Sequence, residues 1–160
     1  TRKESSAASD VYKRQMSSVV EIIPNVWIGN YKDCGNLLSF NECTIDTVIN
    51  ACDMVPFTMG HITRYNINIK PDDTSIELIQ KVDKVCNFIH ERLRKHKFIL
   101  IYSSKDDQVD STIVLCYLMK YGQMEPKNII HAISSKRNKE FDTGLLFKTM
   151  IFKYYNALHS

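Results

Sequence analysis

The stretch that decides the fold is Phe98-Ile99-Leu100-Ile101-Tyr102, followed by Ser103-Ser104-Lys105-Asp106-Asp107-Gln108-Val109-Asp110 and then the apolar residues 111–121. Five consecutive apolar residues without alternation read as a central strand covered on both faces. The polar octet reads as a loop, and the apolar stretch after it as a helix. A strand–loop–helix unit sets its loop at the carboxyl end of a central strand, against a helix N-terminus. In α/β folds that is where chemistry is placed and anions are held.

Working outward, the remaining elements alternate in the same manner. Pro126 opens a helix running to about Lys136, and residues 143–158 form the last one. Upstream, residues 76–95 repeat Ile79, Val82, Val85, Cys86, Ile89 and Leu93 at intervals of three and four, an amphipathic helix that ends at His96-Lys97. Pro71-Asp72-Asp73-Thr74 is its turn and start signal. Tyr65, Ile67 and Ile69 alternate as a strand, and residues 44–51 form a buried strand around Ile45, Val48 and Ile49. Residues 33–41 read as a short helix carrying Leu37, Leu38 and Phe40. Two β-type runs meet at Pro24-Asn25 as a hairpin. Strands alternating with helices indicate an α/β domain of three layers, α/β/α, with a mostly parallel central sheet.

Composition narrows the function. The chain has 160 residues, one domain's worth, with 44% hydrophobic and 24% charged residues. Residues 1–15 are polar and aperiodic. They read as a disordered tail or non-native extension, with the domain spanning 16–160. That tail holds four Lys/Arg and two acids, so it carries +2 of the net +3 charge. The domain is therefore nearly neutral and has no basic patch for nucleic acid. No apolar run approaches the roughly 20 residues of a membrane span, and residues 1–15 contain no apolar core of a secretory signal. Five cysteines, Cys34, Cys43, Cys52, Cys86 and Cys116, make an odd set without zinc spacing. They read as reduced, mostly buried thiols in an intracellular protein, cytoplasmic or nuclear, with no cofactor and no metal.

Several motifs together resemble the dual-specificity protein phosphatases of the cysteine-based tyrosine phosphatase superfamily. Ile23-Pro24-Asn25-Val26-Trp27-Ile28-Gly29 looks like the family's opening I-x-P-x-L-(Y/F)-(L/I)-G. Ile45-Asp46-Thr47-Val48-Ile49-Asn50 is similar to its second strand, and residues 65–74 to the segment ending in the general-acid aspartate, here Asp73. Residues 112–119 resemble the helix after the phosphate loop. Residues 134–146 resemble a later segment, with Arg137 and Gly144 kept. The resemblance implies a tyrosine-phosphatase-like fold over almost the whole chain after the tail.

The family signature, H-C-x-x-G-x-x-R-S, falls on residues 102–110, and every functional position differs. Tyr102 stands for the histidine, Ser103 for the nucleophilic cysteine, Asp106 for the glycine, Val109 for the phosphate-binding arginine and Asp110 for the assisting hydroxyl. A serine hydroxyl offers no low-pKa anion comparable to a thiolate. Val109 removes a bidentate guanidinium, and each charge-assisted hydrogen bond lost is worth about 1.5–3 kcal/mol. Asp106, Asp107 and Asp110 would repel a phosphate, by about 3 kcal/mol per unit pair at 5 Å and an effective dielectric near 20, offset in part by Lys105. Asp106 in place of glycine also implies a remodelled backbone.

These readings lead to a pseudophosphatase: a phosphatase-like domain that binds instead of hydrolysing. Ser104, Lys105, Asp106, Asp107, Gln108 and Asp110, read as a solvated acidic loop, are the candidate contact for a protein partner, one shared with an active phosphatase or a kinase. The domain is expected to be monomeric. The rival reading is an active tyrosine/serine/threonine phosphatase with an atypical nucleophile at Ser103 and Asp73 as acid. Residues around Asp73 read otherwise as a helix cap, with Asp72, Asp73 or Thr74 in that role. Cys86 and Arg92 match C-x5-R by chance, since Cys86 lies on the apolar face of a helix. Lys136-Arg137-Asn138-Lys139 reads as a solvated helix end, or else as a contact for acidic partners.

Overall fold

The structure is a computed structural model that describes residues 18–39, 43–54, 56–57, 60–104 and 107–160. The readings of residues 1–15, Phe40, Lys105 and Asp106 lie outside the described residues.

The apolar run becomes strand β5 (Ile99–Ser103), with all five residues buried. It occupies the middle of a five-stranded sheet with β1 (Val20–Ile23), β2 (Val26–Asn30), β3 (Thr47–Asn50) and β4 (Thr63–Asn66), in the order β1-β2-β5-β3-β4. β5 runs parallel to β2, with Val26 opposite Ile99, and to β3, with Thr47 opposite Ile99. β4 is parallel to β3, whereas β1 is antiparallel to β2 across the expected hairpin. Asn25 adopts φ 70° in that turn, a left-handed conformation asparagine tolerates. β4 lies at the edge, with Thr63, Arg64 and Asn66 exposed, which discourages further strand addition.

Because side chains alternate across a strand, β5 serves two cores. Ile99 and Ile101 pack with Val26, Ile28 and Ile49 against helices α2 (Ser75–Arg94), α3 (Val109–Tyr121), α4 (Pro126–Arg137) and α5 (Gly144–Leu158). Leu100 and Tyr102 pack with Val48 against Cys34, Leu37 and Leu38 of α1 (Tyr31–Leu38). This is the expected three-layer α/β/α domain. α1 begins two residues before the expected Asp33, because the Asn30 side chain accepts from the Asp33 amide and caps it there. α2 starts at a full capping box: Thr74 accepts from the Glu77 amide, and the Glu77 carboxylate accepts from the Thr74 amide.

Asp46 holds β3 and β5 in register at their amino ends. Its carboxylate accepts from the Phe98 amide at 3.2 Å and the Thr47 hydroxyl at 2.8 Å, and lies 3.7 Å from Arg92. With the amino ends tied, the carboxyl ends of β3, β4 and β5 open toward one another's following loops.

Gly29 lies where β2 passes closest to its neighbours. A methyl group there would meet the Val19 Cγ2 at 2.9 Å and the Cys34 sulfur at 3.0 Å, both stiffly held. Gly29→Ala is therefore expected to destabilise the fold by about 1–3 kcal/mol in urea unfolding, as overpacking does. Gly60→Ala, which meets nothing within 4 Å, is the matched substitution expected to change little.

Candidate functional site

A cleft of about 350 Å³ lies at the carboxyl ends of the parallel strands. Ala51, Cys52 and Asp53 follow β3, Ile69, Lys70 and Pro71 follow β4, and Ser104 and Asp107 follow β5. Val109 from α3 and Leu146 and Phe147 from α5 complete the wall. This is the position expected of a site in a parallel α/β sheet.

The floor is the turn from β5 into α3. Gln108 enters the helix with φ 51° and ψ 28°, and its side-chain amide donates to the Glu140 carbonyl at 3.0 Å. Helix N-termini present free amides to anions, but two of these amides are already bound within the chain. The Val109 amide donates to the Asp107 carboxylate at 3.2 Å, and the Ser111 amide to the Asp110 carboxylate at 2.7 Å. α3 begins at Val109, two residues before the position expected from sequence, because these contacts close its first turn.

Asp110 corrects the expectation of a solvated acidic loop. It is fully buried, and its Oδ1 accepts from Arg137 Nη1 at 2.9 Å. The same Arg137 nitrogen donates to the Ser111 hydroxyl at 2.7 Å. Burial pushes the Asp110 carboxyl above its ordinary value, with Arg137 and the Ser111 amide acting against it, and its Oδ2 has no hydrogen-bond partner. Arg137 in turn is almost enclosed, which takes it out of the solvated helix end, whereas Lys136, Asn138 and Lys139 are exposed, Lys136 donating to the Ile22 carbonyl. Gln108 is also buried, which removes it and Asp110 from any surface contact. Ser104 and Asp107 do face the cleft.

Ser103, in the register of the nucleophile, is 2% exposed and does not line the cleft. Its hydroxyl donates weakly to the Ser104 carbonyl at 3.3 Å. Tyr102 is buried and stacks obliquely against Phe57 and Tyr31, and burial raises its phenol further from ionisation. Asp73 is not aimed into the cleft either. Its Oδ2 accepts from Lys81 Nζ at 2.7 Å and from the Lys70 amide at 2.8 Å. Burial acts to raise its pKa, but the Lys70 amide and the Lys81 ammonium outweigh it and leave the carboxyl below its usual range. Such a group stabilises the fold above its unfolded pKa and loses that contribution as pH falls through the lower folded value. The helix cap expected among Asp72, Asp73 and Thr74 is Thr74.

All five cysteines are free, and burial raises the pKa of each: Cys86 to about 12, Cys34 and Cys116 well above the ordinary range, Cys43 and Cys52 more modestly. Nothing in the sequence marks Cys52, Asp53, Leu146 or Phe147 as a cleft residue, and only the fold brings them to its wall. No group of three metal-ligating side chains occurs among the described residues, and no helix among them is long and apolar enough to cross a membrane.

Residues 26–157 match the family model of the dual specificity phosphatase catalytic domain, and the chain belongs to that family. It is 28% identical over 135 residues to the MAP kinase phosphatase with leucine-rich repeats protein 3 of Dictyostelium discoideum, a match covering 84% of this chain and 16% of that protein's length. Among solved structures it resembles human DUSP28, with a TM-score of 0.77, 16% identity and coverage of 89% of this chain and 96% of that one. It also resembles human tyrosine phosphatase-like serine/threonine/tyrosine-interacting protein, with a TM-score of 0.76, 16% identity and coverage of 89% and 98%. At those identities the two structures speak for the fold.

Arg137→Met would leave Asp110 buried without its counter-charge, a loss of about 3–5 kcal/mol near neutral pH. A carboxyl with a raised folded pKa stabilises the fold while protonated, and that contribution is lost as pH rises through the folded value. The deficit of Arg137→Met relative to wild type should therefore shrink when urea unfolding is repeated at about pH 5. An equal deficit at both pH values would mean that the ion pair is not what the substitution removes.

Proposed function

We propose that this domain is a pseudophosphatase, which keeps the dual-specificity phosphatase fold, does not hydrolyse phosphoesters and acts by binding a protein partner. The observation that carries this reading is the state of the α3 N-terminus. Phosphate would need free amides and a cationic grip there, whereas the Val109 and Ser111 amides are held by the chain's own carboxylates. Arg137, which reaches the first turn of α3, is bound to Asp110 and Ser111. Val109, in the register of the family's arginine, offers the cleft an apolar wall.

The chemistry of hydrolysis lacks its parts as well. Ser103 is buried, no imidazole is placed to draw off its proton, and the Asp107 and Asp110 carboxylates beside its hydroxyl are themselves held by the Val109 amide and by Arg137. The raised thiol pKa of Cys52 opposes a substitute thiolate from the cleft wall. Asp73, ionised and bonded to Lys81, has no proton to deliver to a leaving group. A binding role leaves the scaffold under the same packing constraints without any of these groups. A protein partner shared with an active phosphatase or a kinase fits a domain of this shape with an open cleft.

Hydrolysis of an aryl phosphate by the full chain, followed from about pH 5 to 8, tests the reading directly. Wild type, Asp73→Ala and Ser103→Cys are all expected to match the protein-free blank. Ser103→Cys stays silent because Val109 and the carboxylates remain. Turnover that Asp73→Ala abolishes, or that Ser103→Cys restores, would contradict it.

A further inference from the structure

The cleft has a chemistry of its own. Ile69, Pro71, Val109, Leu146 and Phe147 make most of its wall apolar. Two carboxylates break that wall, Asp53 on the exposed rim and Asp107 half-buried near the floor. Neither has an ion-pair partner among the described residues. Lys70 also lines the cleft, and its charge acts on the neighbouring Asp73. Burial pushes the Asp107 carboxyl up, the direction expected of an acid held near apolar surface without a counter-ion.

An exposed apolar strip continues from the cleft. Leu146 sits on the wall and is 37% exposed, and Leu145 beside it is 81% exposed. Phe152, seven residues on and therefore on the same helix face as Leu145, is 67% exposed. Lys153 donates to the Ser75 hydroxyl at 2.9 Å, which brings this end of α5 beside the exposed Ile76. Leu145 and Phe152 share one face of α5 with the exposed Lys148 between them, and Leu146 turns from Leu145 to the cleft wall. Large side chains exposed in such a group mark an interaction surface.

We propose that the cleft receives a lysine or arginine side chain from a protein partner, whose flanking apolar residues lie along the strip from Leu146 to Phe152. The proposal rests on the binding-module reading above and gives the partner's chemistry. A neutral occupant would strip water from Asp53 and Asp107 without replacing it, which is costly for a charge. An anion would meet both carboxylates against the single ammonium of Lys70 and find the Val109 and Ser111 amides taken. A cationic head on an aliphatic stem satisfies both parts of the site, because its stem packs on apolar wall while its head meets the carboxylates.

The test is calorimetric titration of the full chain with three end-blocked peptides that share a Ser-Leu-X-Leu-Ser frame, where X is arginine, methionine or phosphotyrosine. The arginine peptide should bind about tenfold more tightly than the methionine peptide, the equivalent of one charge-assisted hydrogen bond. Added salt should erode that advantage. Asp53→Asn and Asp107→Asn should each reduce it, and Asp53 is exposed enough that its substitution leaves folding untouched. Leu145→Ser should weaken the arginine and methionine peptides alike. Equal affinities for arginine and methionine, or no binding of either, would overturn the cation site while leaving the absence of hydrolysis standing. Tightest binding by the phosphotyrosine peptide would overturn both the cation site and the exclusion of phosphate from the α3 N-terminus.

Discussion

Everything distinctive about this domain follows from the first turn of α3, where the chain's own carboxylates hold two of the amides that a helix N-terminus otherwise offers to anions. Asp107 reaches forward to the Val109 amide, and Asp110 bonds the Ser111 amide next to it. A carboxylate here is well placed electrostatically, since the helix dipole favours negative charge at this end. The arrangement becomes demanding only because Asp110 is fully buried. Its charge is tolerable because Arg137 reaches it from the end of α4, and one carboxylate oxygen still goes without a partner. A buried pair of this kind is weak evidence of net stability, but removing either partner is expensive. It ties the loop, α3 and α4 into one unit.

The scaffold tolerates this because its stability lies elsewhere. β5 is buried on both faces, and most residues of the cores on either side of it lie away from the cleft, which only Ala51 and Val109 of the buried core help to line. Asp46 and the Thr74 capping box fix the amino ends of strands and the start of α2 without using any residue of the loop. Side chains at the carboxyl end can thus change character while the layers persist. Asp73 illustrates this: it is an anchor between the Lys70 amide and Lys81 and works without reference to any reaction.

Most of the architecture was legible in the sequence because it depends on local signals. A five-residue apolar run, a helix period of three and four, and a Pro-Asp-Asp-Thr start each act within a few residues. β5, α2, α4 and α5 accordingly lie within one or two residues of their expected positions. The site was less legible because its contacts span the chain. Asp110 looked solvated in a run of polar residues, and its partner lies 27 positions away. Arg137 was visible as a retained family position, yet its neighbours Lys136 and Lys139 disguised it as part of a surface run. The cleft wall draws on four separate segments, and no spacing in the sequence groups Cys52 and Asp53 with Leu146 and Phe147.

The central claim is that the Val109 and Ser111 amides of α3 are unavailable to an anion. Amide chemical shifts of the full chain, recorded while phenyl phosphate is added, test it at the atoms concerned. The account predicts that the Val109 and Ser111 resonances stay in place throughout the titration. Saturable movement of those two resonances would show a phosphate seated in the turn, and would contradict it.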